Sequence, residues 1–182
     1  MMNNLQLKFI LPLLLILFNF SNVEAKCKFI MDLGEEYKKS DEKEFGELPE
    51  NETGYAEVDI FAPDICSSDN FNDQFIIKHI FLEKKLMAIR FYVDNTIDNS
   101  ATDSLKLMNY AKRIYGDFDT GSNPQNFNNF IIWERANKYI VYQRALNKDV
   151  WEEEIYISND KYWDQLSRHK SLMEMGEDPD ES

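Results

Sequence analysis

The chain carries few of the residues that usually announce chemistry. Its 182 residues include two cysteines, two histidines, six glycines and five prolines. So few cysteines and histidines leave no cluster at zinc-ligand spacing. The glycines form neither a phosphate-cradling loop nor a dinucleotide fingerprint. His79 and His169 lie far apart, with no serine and aspartate pattern to bind either into a triad. Positive charge is scarce as well: 20 basic against 33 acidic residues give a net charge of −13. A chain this acidic is repelled by nucleic acid and by anionic headgroups, so neither is an expected partner, and any charged partner should be basic. The same acidity keeps a small protein soluble.

Long apolar runs are absent with one exception. Phe9 to Phe18 is interrupted only by Pro12, follows Lys8, and precedes Val23-Glu24-Ala25. It is too short to span a membrane and reads as the core of a secretory signal peptide, residues 1–25, cleaved after Ala25. Residues 26–175 then form one exported domain with no integral membrane segment, and 176–182 an acidic, disordered tail. In an exported protein the even pair Cys27 and Cys66 reads as a disulfide. Chain-entropy models give closure of that loop about 3–4 kcal/mol. Asn51-Glu52-Thr53 is a glycosylation sequon, relevant only in a eukaryotic secretory route.

The densest apolar stretch runs from Phe75 to Gly116. Phe75–Leu82 and Leu86–Val93 are rich in β-branched and aromatic residues and alternate, with Glu83-Lys84-Lys85 between them as a hairpin turn. Leu105, Met108, Ala111 and Tyr115 recur at helical spacing, and Gly116 is a natural stop, which predicts a helix over about 102–115. Phe29, Ile30, Leu33 and Tyr37 predict an earlier helix over about 28–43, weakest at Gly34. Tyr55–Phe61 alternates as a half-exposed strand. Phe130–Trp133 and Tyr139–Leu146 form a second hairpin turning at Ala136-Asn137, and Trp151–Ser158 is a further strand with Ile155 and Ile157 inward. Asn159 and Asp160 open a C-terminal helix marked by Tyr162, Trp163, Leu166, His169 and Met173. The order predicts an α+β single domain: a mostly antiparallel sheet of about five to six strands, with two to three helices packed mainly on one face.

Three motifs bear on function. Asp119-Thr120-Gly121-Ser122 resembles the Asp-Thr-Gly-Ser signature of pepsin-like aspartic proteases, whose chemistry needs two carboxylates sharing a proton. A second such motif is missing, the preceding segment is a helix end, and Asn123-Pro124 follows instead of a strand. The residues therefore read as a loop of turn formers, with no catalytic residue and no enzymatic activity expected. Asp117, Asp119 and Asn123 place oxygen ligands at calcium-loop spacing, but Gly121 falls one position early and Asn128 stands where a bidentate Glu belongs. No metal or other cofactor is expected. Finally, aromatics concentrate in the last third; Trp133, Tyr139, Tyr142 and Trp151 are candidates for a binding face. The expected role is thus a small exported binding module, in the periplasm or extracellular space, for a protein, peptide or glycan. The alternatives are a hydrolase with an unrecognised carboxylate site, or an inhibitor inserting the Asp117–Asn129 loop into a partner.

Overall fold

The computed structural model describes residues 27–49, 54–66, 71–96, 98–121 and 129–175. The signal segment, the sequon at Asn51, Asn123 and the tail 176–182 lie outside the described residues.

Among the described residues, seven strands form one antiparallel sheet. They are β1 (Tyr55–Phe61), β2 (Phe75–Leu82), β3 (Lys85–Val93), β4 (Thr120–Gly121), β5 (Asn129–Arg135), β6 (Lys138–Asn147) and β7 (Val150–Ser158). Their spatial order is β1-β2-β3-β7-β6-β5-β4. A three-stranded meander, β1-β2-β3, and a four-stranded one, β4-β5-β6-β7, thus meet where β3 pairs with β7, with Ile89 opposite Ile157 and Phe91 opposite Ile155. The expected five or six strands become seven because Asp119–Gly121 folds back onto β5 and adds a short edge.

Among the described residues, five helices accompany the sheet: α1 (Glu42–Phe45), α2 (Ala62–Ile65), α3 (Ser100–Asp103), α4 (Lys106–Tyr115) and α5 (Asp160–Met175). Among the described residues, no helix is long and apolar enough to cross a membrane. Packing mainly on one face does not hold. Strand parity puts Phe75, Ile77, Phe91, Trp133, Ile140, Tyr142, Ile155 and Ile157 on an inner face, where Leu107, Met108, Tyr110 and Ala111 of α4 close the core. The long helix α5 lies on the opposite face.

Two helical expectations are corrected. No helix spans 28–43. Gly34 sits at φ 84, and a Cβ there would fall 2.2 Å from the Tyr162 hydroxyl, so the chain bends at that point. The segment instead crosses the inner face irregularly, its amides tied to β3 by Gly34 N–H to Leu86 O and Tyr37 N–H to Lys84 O, both 2.7 Å. The helix over 102–115 is broken in two. Leu105, at φ 54 and ψ 44, separates α3 from α4 and frees the first amides of α4 for a partner outside the helix. β2 and the apolar part of β5 both open with Phe-Ile-Ile, but the two differ in parity: Phe75 is fully buried and Phe130 is 53% exposed. They are not a repeat.

Cys27 and Cys66 are joined, pinning the start of the inner-face segment beside α2. The β2–β3 turn is Glu83-Lys84 alone, at φ 50 and 63. Both residues occupy the left-handed region that this hairpin turn requires and that glycine adopts without penalty. Lys84→Gly should therefore raise stability by about 1 kcal/mol. A denaturant midpoint that is unchanged or lower would contradict the strain argument.

Candidate functional site

The outer face of the sheet is covered at one end only. Asn159 caps α5, accepting from Tyr162 N–H at 2.9 Å through its side chain and from Trp163 N–H at 2.9 Å through its carbonyl. That cap fixes the helical phase, so Trp163, Leu166, His169 and Met173 face or flank the sheet. Strand parity sends Tyr55, Glu57, Ile80 and Tyr156 to the same side. Between helix and sheet lies an open groove of about 510 Å³, lined mainly by Tyr55, Ile80, Tyr156, Trp163, Leu166 and Met173. This size and mostly apolar lining suit a small ligand or an inserted side chain. Tyr156 and Trp163 meet edge to face at 5.3 Å, and the ring of Tyr55 stacks on His169 at 5.8 Å. Trp163 and Met173 remain 48% and 45% exposed, so the groove is open along the helix.

One wall is polar. Tyr55 donates its hydroxyl proton to Glu57, which also pairs with Lys78; Lys78 reaches Asp59 at 3.9 Å. Burial pushes the Glu57 carboxyl up, but hydrogen bonds from Lys78 and Tyr55 outweigh it and hold the carboxyl below its ordinary value. Burial, then the bond to Glu57, raises Tyr55; burial, then the neighbouring Tyr139, raises Tyr156. Both phenols stay protonated at physiological pH. Beyond this wall the outer face continues uncovered by helix. Arg90 pairs with Glu154 at 2.5 Å and lies 4.9 Å over the ring of Tyr92.

The four aromatics suggested by the sequence do not make a common surface. Trp133 and Tyr142 are fully buried. They pair with Ile140 and with Ile131 and Ile155, the inward set of their strands. Trp151 is half-buried, also on the inner face, under the guanidinium of Arg144 at 3.9 Å. Tyr139 alone faces outward, half-buried, near the start of α5. Clustering in sequence was the wrong signal; parity against Ile155 and Ile157 separates Trp133 and Tyr142 from Tyr156.

Asp119 is exposed, and its carboxylate accepts from Glu134 N–H at 2.7 Å and from Arg135 Nη1 at 3.2 Å. Those bonds fasten the β4 edge. Gly121 is required there, since a Cβ would meet the Phe130 carbonyl at 2.5 Å. The Asp-Thr-Gly run is thus built into a strand edge. Asp117 is also exposed, and no group of three or more candidate metal ligands exists among the described residues.

Glu153 was hidden in the sequence inside Glu152-Glu153-Glu154. It shares strand parity with Ile155 and Ile157, is 1% exposed, and accepts from Met108 N–H at 2.9 Å and Tyr142 Oη at 3.0 Å. It caps α4 from across the core, which explains the break at Leu105. Burial pushes its carboxyl up to about 7, against the pull of the Met108 and Leu107 amides, Tyr142 and Arg144. Almost sealed from solvent, it ties α4 to β6 and β7, and its Oε2 has no partner among the described residues.

No protein-family model matches the chain, and no curated protein or solved structure matches it significantly.

Proposed function

We propose that this chain is a small exported, non-enzymatic binding protein whose ligand seats in the groove between α5 and the outer face of the sheet. The observation that carries this reading is the row of Tyr55, Tyr156 and Trp163, large side chains left partly open to solvent around one mainly apolar groove. Aromatic side chains in such positions dominate binding energetics at recognition surfaces. The ion-paired wall of Glu57, Lys78 and Asp59 gives the groove a polar rim that can orient a ligand. The Cys27–Cys66 disulfide fits an oxidising compartment, in keeping with export.

Affinity capture with the oxidised chain tests this, run beside Trp163→Ala. Trp163 is half exposed and stands on a helix, so its removal should leave the fold intact by circular dichroism. The expected result is a partner whose affinity for the variant falls at least about tenfold, the scale of a hot-spot aromatic. Equal capture by the two proteins would move the site elsewhere; no partner for either would remove the reading.

A further inference from the structure

We propose that the N-terminal segment 27–48 is an acid-released cover, latched by His79. Three observations carry this. His79 is completely buried on the inner face of β2, between Val58 of β1 and Ile89 of β3. Neither ring nitrogen finds a hydrogen-bond partner among the described residues. A neutral imidazole already loses solvation there, and an imidazolium would be an unpaired buried charge. What lies over the ring is the cover: Phe45 of α1 meets it edge to face at 4.8 Å, and Phe45, Tyr37 and Phe81 form one aromatic cluster around it.

The cover is also the part of the inner face with the least regular structure. It holds one 3-10 turn, Lys39–Asp41, and the four-residue α1. Three backbone hydrogen bonds fasten it to the start of β3: Gly34 to Leu86, Leu86 to Glu35 and Tyr37 to Lys84. Its first residue is held covalently through Cys27 to Cys66, so it can lift at the Phe45 end without leaving the molecule. Lifting would hydrate His79 while the β3–β7–β6 ladders and α4 stay packed. The segment touches α5 at Gly34, beside the Tyr162 hydroxyl, but the latch at His79 does not depend on the function proposed for the groove.

Among the described residues no charged group pairs with the ring. Its surroundings on β1, β2 and β3 are apolar. On the cover, Asp41, Glu42 and Glu47 act on Tyr37, whose hydroxyl donates to the Gly46 carbonyl. Burial holds the imidazole at about 4 against an ordinary 6.5; the nearby Ile77 backbone, which does not reach hydrogen-bond geometry, offsets only part. In the lifted state the ring recovers the ordinary value. Linkage then favours lifting as pH falls, increasing the open population about a hundredfold between pH 7 and pH 4.

Hydrogen exchange of the full oxidised chain tests this directly. Protection factors of the Gly34, Tyr37 and Leu86 amides should fall about a hundredfold from pH 7 to pH 4, while those of the β3–β7 ladder hold. His79→Phe, which keeps a planar ring without a titrating group, should abolish that fall. His79→Leu serves if the phenylalanine variant does not fold. The chain has only two histidines, so the His79 ring can also be titrated by NMR in the unmodified protein. Equal loss of protection in wild type and variant, or a ring that titrates near 6.5 with the cover amides still protected, overturns the latch.

Discussion

Glu153→Gln is expected to turn a nearly flat stability profile between about pH 4.5 and 6.5 into one that rises with pH. Two buried groups oppose each other in that window. Glu153 has a folded value of about 7 against an ordinary 4.5, so the folded state holds its proton more tightly. Its contribution is fully present below 4.5 and is lost as pH rises to about 7, a loss of about 3 kcal/mol. His79, at about 4 against 6.5, runs the other way: stability is present above 6.5 and is lost as pH falls towards 4. In the wild type the slopes largely cancel. Glutamine keeps an acceptor for Met108 N–H and the Tyr142 hydroxyl and carries no charge. The variant should therefore gain up to about 3 kcal/mol at pH 8 and show stability that climbs with pH through the former plateau. Chemical denaturation of both proteins from pH 4.5 to 8 measures this. A variant that tracks the wild type at every pH would mean that Glu153 is ionised, and stabilised, in the fold.

Trp133→Ala should destabilise the protein by about 3–5 kcal/mol, the usual cost of emptying a buried tryptophan site. Trp133 is fully buried, donates from Nε1 to the Gly116 carbonyl at 2.9 Å and packs against Tyr115 at 6.0 Å. Those contacts lock the end of α4 to β5. Domains of this size have total stabilities of about 5–15 kcal/mol, so the melting temperature should drop by roughly 10 °C or more. Trp163→Ala should cost less than about 1 kcal/mol, because the side chain is half exposed. Near-wild-type melting of Trp133→Ala would refute the burial that removes Trp133 from any binding surface.

These two residues mark where local sequence stops being informative. Alternation grouped Phe75 with Ile77, Phe91 with Ile89, and Ile155 with Ile157, each within its own strand, because the strand period of two is written residue by residue. The same parity assigns Glu153 and Tyr142 to the core, against their polarity. Whether a carboxylate can survive there depends on the α4 amides and the Tyr142 hydroxyl, which come from distant parts of the chain. The break at Leu105 follows from that encounter and overrides a helical pattern that runs through it.

The α+β class, the order of the main strands, both hairpin turns to within a residue, the C-terminal helix and the cysteine pair were legible in the residues alone. Each is a local signal: a period, a turn, a cap, or two cysteines and nothing else to pair with. Only the tertiary structure decided that β7 joins β3, that the helices divide between the faces, and that Tyr55, Tyr156 and Trp163 line one groove. Those outcomes depend on contacts between residues far apart in the chain, made where apolar faces from separate elements have to be buried together. No window of neighbouring residues encodes which face meets which.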